Sequence, residues 1–302
     1  MKFKLSTFIL SILTCLAIWS CGPKTANNEN SDKDKDKNKD EFNDAERSLK
    51  DEIKDLAYNI PPPSEIPYLL QSTGAEFIQS LVNDRKKADS YGSQSDKACL
   101  NLGLYTADIG YLSAYDKTQE SIDYLTACKN LAEKLGISGS FDRTTLEKFE
   151  ANIGNKDSLA ALLNDAMKKT DKYLKDDNRS KLGALLVTGS FVESLYISTQ
   201  IIKSYPANIL PTDKRNLILT PLIQLVINQK KSVSEVTKML SQVEQSGPIP
   251  GILSDLKNLE ASYSELKVDE AIKSNKSNLT LTPEMLAGVT KVVEKLRGDI
   301  VQ

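Results

Sequence analysis

A chain of 302 residues with 40% apolar and 26% charged residues has the composition of a soluble globular protein and room for a sizeable core. Its formal charge of −2 gives no general attraction to nucleic acid or anionic lipid. Histidine is absent, which removes Ser-His-Asp and Cys-His catalysis, His-bearing zinc sites and the Glu-x-x-His pairs of di-iron bundles. Any chemistry is left to carboxylates, Lys, Tyr, Ser or Cys, and no metal or cofactor pattern is found.

At the N-terminus, Lys2 and Lys4 precede an apolar run from Leu5 to Trp19. That order is the positive and apolar parts of an export signal. The run is shorter than the ~20 apolar residues a membrane-spanning helix needs. It ends in Ile18-Trp19-Ser20-Cys21. An aliphatic residue three places before a cysteine and a small one just before it resembles the lipobox of bacterial lipoproteins. Trp19 stands where that family usually has a small residue. The resemblance implies that residues 1–20 are removed and that Cys21 carries the lipid, palmitate included. The mature chain then has 37 basic and 41 acidic residues, a net charge of −4. An ordinary secretory signal with an incidental cysteine, or a short anchor, is the alternative. Cys15, inside the apolar run, is a poorer lipidation candidate.

Residues 21–41 carry no aliphatic side chain larger than Ala and alternate Lys with Asp between Asp32 and Asp40. They cannot bury enough apolar surface to offset the entropy of ordering, so a disordered charged tether is expected. A calcium loop is not, because the glycine and terminal bidentate Glu are missing. Gly22, rather than Asp, after the cysteine fits outer-membrane sorting under the rule for bacterial lipoproteins.

The helical globular domain is expected over residues 42–302. Phe42, Ala45, Leu49, Ile53 and Leu56 form one helical stripe, which Pro61-Pro62-Pro63 ends. A short helix follows from Ser64 to near Gly74. Residues 85–95, polar and carrying Gly92, read as a loop. "ACLNLGLYTADIGYLSAY" and "KLGALLVTGSFVESLYIS" are apolar around most of the circumference, as in central helices buried on several sides. Amphipathic helices are predicted over 118–135, 143–153 and 157–174. Further ones follow over 212–228, kinked or restarted at Pro221, and over 234–245 and 250–266. A last helix has Thr282 as its cap and Pro283 in its first turn. No stretch alternates as a strand does. The fold class is therefore all-α, an irregular multi-helix bundle, with a solenoid-like helical array as the alternative because no 34-residue period repeats.

Two cysteines remain in this domain. A chain turning near Asp116 places Cys128 opposite Tyr105, roughly 9 Å along the helix axis from Cys99. A disulfide needs Cα atoms within ~7 Å, so two buried free thiols are expected.

The two apolar helices share a pattern: Asp108 and Glu193 each precede a tyrosine by three residues, Tyr111 and Tyr196. An acid on an apolar helix must be paired, protonated or open to water. Facing each other across a cleft, Asp108 and Glu193 would suit an acid–base pair of the kind that cleaves glycans without histidine, with Tyr111 or Tyr196 assisting. Buried against a hydroxyl or a base, they would instead set core register. Gly103, Ala107, Gly110 and Ala114 form a small-residue stripe that admits a close neighbour.

The signal, "PPPSEIPYLL" and "LGLYTADIGY" together resemble the helical lipoproteins of Bacteroidota-type envelopes. That resemblance implies a cell-envelope protein held to the membrane, and more specifically the outer membrane, by lipid on Cys21. Its helical domain would bind or scaffold an envelope protein or a glycan, without catalysis and with no nucleic-acid partner. A carboxylate-based glycan hydrolase or lyase using Asp108 and Glu193 is the alternative.

Overall fold

The computed structural model describes residues 71, 75–137, 143–152, 155–176, 179–206, 211–266 and 281–302. The signal, the tether, the Phe42 stripe and the Ser64 helix, Gln71 aside, lie outside the described residues. Ten α-helices and no strand occur among those described, which makes the domain all-α. They are α1 (Ala88–Tyr91), α2 (Ser95–Ala114), α3 (Thr118–Lys134), α4 (Arg143–Asn152) and α5 (Lys156–Asp176). After them come α6 (Ser180–Ser204), α7 (Thr212–Asn228), α8 (Lys230–Ser241), α9 (Ile249–Glu265) and α10 (Ala287–Ile300).

The two apolar helices, α2 and α6, pack along each other at the centre, although 65 residues of chain, 115–179, separate them. α3 and α5 cover α2, α5 and α10 cover α6, and α9 lies against α8 and α10. A solenoid repeat touches only its sequence neighbours, so this long-range pairing makes an irregular bundle.

Glycine sets the central crossing. A Cβ on Gly103 would lie 2.1 Å from the Leu186 carbonyl oxygen, and one on Gly189 would lie 2.0 Å from that of Leu100. Backbone meets backbone at both points, so no rotamer change makes room. The small-residue stripe of α2 thus receives α6.

Helix ends follow their local chemistry. At the end of α2, the Lys117 N–H donates to Leu112 O at 2.9 Å and the Asp116 N–H to Ser113 O at 3.0 Å. Asp116 adopts the left-handed φ of 57° that this closure requires. Gly136, at φ 70°, ends α3 in the same way. α2 and α3 are thereby folded back into a hairpin, with Cys99 and Cys128 buried as free thiols. Burial pushes the Cys99 thiol up to about 12 and that of Cys128 higher still.

Four expectations need correction. Residues 85–95 are not a plain loop: a 3₁₀ turn at Arg85–Lys87 runs into α1, because Ala88 and Tyr91 are drawn into the core. α7 is continuous through Pro221, where burial of Leu219, Leu222 and Ile223 offsets the missing hydrogen bond. α8 begins at Lys230, four residues before the expected start, since only Gln229 separates it from α7. Thr282 precedes a 3₁₀ turn, Pro283–Leu286, and α10 starts only at Ala287.

Adding one methyl at two kinds of glycine separates crossing from propensity. Gly103→Ala should lower the urea-unfolding free energy by about 3 kcal/mol through overpacking. Gly298→Ala, inside α10 with nothing within 4 Å of the new atom, should raise it by ~1 kcal/mol. Equal effects at the two positions would contradict the close crossing.

Candidate functional site

The acids singled out in the sequence meet at the centre of the bundle. Asp108, in the middle of α2, and Glu193, in the middle of α6, both have zero exposure. Arg297, reaching in from α10, grips Glu193 with two bonds, Nε to Oε2 and Nη2 to Oε1, each 3.1 Å. Its guanidinium lies 4.6 Å over the Tyr196 ring. Asp108 Oδ2 accepts the Asn83 N–H at 3.1 Å, while Oδ1 has no donor.

That unmatched oxygen locates a proton. Two carboxylates in hydrogen-bonding contact with one arginine cannot both carry charge in a dry interior. Burial first, and the Glu193 charge second, push Asp108 well above the usual carboxylate range, and Asp108 bonds Glu193 side chain to side chain. Burial raises Glu193 as well, but Arg297 and the Asp108 proton pull it back. Burial works to lower Arg297, yet Glu193 outweighs it and holds the guanidinium more firmly protonated. Asp108 is the neutral acid donating to Glu193, Glu193 and Arg297 are the ion pair, and the trio is electrically neutral.

The tyrosines do other work. The Tyr111 hydroxyl accepts the Ile78 N–H at 2.8 Å and does not bond Asp108; burial pushes it up to about 12. Tyr196 is half-buried under Arg297, and burial raises it too. A set that sequence reasoning missed centres on Asn83. Its carbonyl accepts from the Tyr124 hydroxyl at 2.7 Å, and its amide nitrogen donates to Asn101 Oδ1 at 3.0 Å. Tyr91 reaches both Asn83 Oδ1 at 3.3 Å and the Val301 carbonyl at 3.0 Å. Asn101 donates in turn to Ile300 O at 3.3 Å. An asparagine on the apolar face of α2 was the one signal that such a network existed.

Asp108 and Glu193 are therefore brought together, but not on an open cleft. Glycan cleavage needs carboxyl groups ~5–10 Å apart with the sugar between them. Here they touch, sealed from solvent, and Tyr111 and Tyr196 are engaged elsewhere. The geometry is that of a core register device.

No protein-family model, curated protein or solved structure matches the chain.

Solvent reaches the bundle in a groove of about 660 Å³ between the N-terminal ends of α2 and α9 and the C-terminal end of α10. Leu100, Ile252 and Leu296 line it together with Asp96 and Asp255. At its edge, Lys181 Nζ donates to Asp96 Oδ2 at 2.7 Å and to Ser246 Oγ at 2.9 Å. A serine beside a lysine is a nucleophile–base arrangement open to a histidine-free protein. An ion-paired lysine, however, is a cation and not a base. Asp255 is likewise engaged, by Lys295 at 2.7 Å. Among the described residues no group of three or more acidic or cysteine side chains is placed to hold a metal.

The proton on Asp108 makes two substitutions unequal. Asp108→Asn replaces the neutral acid by a neutral amide that keeps both bonds, so stability at pH 7 should change by less than ~1 kcal/mol. Arg297→Met leaves the Glu193 charge buried and unpaired and should cost ~3–5 kcal/mol.

The pH dependence carries a sign. With its pKa raised, Asp108 binds in the fold a proton that the unfolded chain releases above ~4. Its contribution therefore falls as pH climbs from the unfolded value towards the folded one. Urea midpoints between pH 5 and 8 should decline more steeply in the parent chain than in Asp108→Asn; parallel curves would place the proton elsewhere.

Proposed function

We propose that this protein is an envelope lipoprotein, anchored through lipid on Cys21, whose helical domain binds or scaffolds a partner and does not catalyse a reaction. The observation that carries the reading is Ile18-Trp19-Ser20-Cys21 at the end of a short apolar run behind Lys2 and Lys4, followed at once by a stretch rich in Asn, Asp and Lys. Gly22 fits sorting to the outer membrane. The fold supports it in two ways. α6 is long and apolar enough to cross a membrane, but 89% of its apolar window is buried inside the bundle, so it is a core helix and not a competing anchor. The carboxylates that a glycan hydrolase would need are sealed from solvent, Glu193 paired with Arg297 and Asp108 holding a proton, which removes the support for that alternative. The groove beside α2, α9 and α10, with its apolar floor and ion-paired rim, offers a face for a partner.

Intact mass and membrane fractionation of the full chain made in a Gram-negative host, beside Cys21→Ser, test this. The parent is expected at the mass of a chain beginning at Cys21 plus lipid, in the membrane fraction. The variant should lose both lipid and membrane association. Unlipidated, soluble protein in both preparations would make Cys21 incidental and the anchor reading untenable.

A further inference from the structure

A second hollow, of about 360 Å³, lies between the C-terminal end of α6, the first turn of α7 and the start of α10. Its polar lining comprises Lys203, Arg215, Lys291, Glu284, Glu294 and Thr290. Which of these groups is already matched decides what the hollow can hold.

Both acids are occupied from within. Glu294 Oε1 accepts from Gln200 Nε2 at 2.7 Å and from Lys203 Nζ at 2.5 Å, which also engages the Lys203 charge. Glu284 takes its own backbone N–H first and the Thr282 hydroxyl second, and with a smaller contribution from the nearby Arg215 charge these hold its carboxyl below the usual range.

What remains is a set of donors. Arg215 gives one Nη2 bond to Tyr205 O at 3.3 Å, but its Nε–H is buried with no partner. Lys291 is exposed and pairs with no carboxylate among the described residues. Thr290, a residue only 7% exposed, lines the hollow, and its hydroxyl makes no hydrogen bond among the described residues. A helical threonine ordinarily donates back to the carbonyl four residues earlier, as Thr106, Thr188 and Thr237 do here, so Thr290 departs from its own chain's habit. A buried donor left unmatched, as the Arg215 Nε–H is, is rare and calls for an acceptor. The N-terminal end of α10, which brings Ala287 to the same hollow, adds its partial positive charge.

We propose that this hollow is an oxyanion site for a phosphate-bearing ligand, held by Arg215 and Thr290 with Lys291 at the mouth. The volume suits one phosphate with a small organic group. The same chemistry is offered by a free phosphate compound and by a phospholipid headgroup, and the two are separable. The site stands apart from the anchor reading and does not depend on Cys21.

The test uses the full Cys21→Ser chain, so that no lipid on Cys21 masks the result. One arm is calorimetric titration with inorganic phosphate; the other is flotation with vesicles of phosphatidylcholine, with and without phosphatidylglycerol. Each is repeated on Arg215→Gln, Thr290→Val and Lys291→Gln. Saturable phosphate binding, weakened about tenfold or more in Arg215→Gln and several-fold in Thr290→Val, supports the site and a free ligand. Flotation with the anionic vesicles alone, lost in the same variants, supports the site and a headgroup. Thr290→Val leaves the net charge unchanged and so separates this site from general attraction to an anionic surface. Lys291→Gln, at an exposed position, keeps the test readable should Arg215→Gln fail to fold. Absence of both kinds of binding, or binding that none of the three variants alters, overturns the proposal.

Discussion

Placing two carboxylates at the crossing of the most buried helices in this bundle is an electrostatic problem, and its solution organises much of the rest. An isolated charge in such an interior is too costly to keep, and a single arginine neutralises only one acid. The second is neutralised by a proton. Arg297 must then approach Glu193 edge-on with its fork, which fixes how α10 lies on α6. Asp108, as the neutral member, is free to accept the Asn83 N–H and so ties the segment before α1 into the same centre. Three distant stretches of chain are held in register by one proton and one guanidinium.

Close approach and charge depend on each other. Gly103 and Gly189 let α2 and α6 come near enough for backbone to meet backbone, about one turn from each acid along its own helix. Without that approach Asp108 and Glu193 would be separated by the width of intervening side chains, and the shared proton would have no partner. Asn83 and Asn101 complete the pattern, since both are fully buried and both find their partners in backbone or amide groups. Each polar group in this centre holds a different element, so the network acts as a lock among helices more than as a source of stability.

The helical period was plain wherever a helix buries one stripe, and the two central helices announced themselves by being apolar all round. The acids were legible for the same reason: a carboxylate on an apolar helix is conspicuous. Their partner was not. Arg297 sits in "KVVEKLRGDI", an ordinary amphipathic stretch where one more charge carries no signal. Asn83 was equally hidden, because "VNDRKK" reads as surface and nothing local marks its first polar residue as a hub. Tyr91 pulled a polar loop into a helical turn through burial that no nearby residue foretells. Thr290 and Arg215 belong together only through the packing of α7 against the 3₁₀ turn that leads into α10, which has no trace in either segment alone.

The position of Arg297 along the chain has a consequence for the order of assembly. A polypeptide is made from its N-terminus, so α2 and α6, with both acids, exist before α10 does. Until the last helix is added, the central pair has to meet without its cation, and Asn101 and Tyr91 lack the Ile300 and Val301 carbonyls that complete their bonds. The core is thus incomplete in charge and in hydrogen bonding during most of synthesis. Such a delay keeps the chain loose while it is elongated. Tight packing is deferred until α10 arrives and closes the centre.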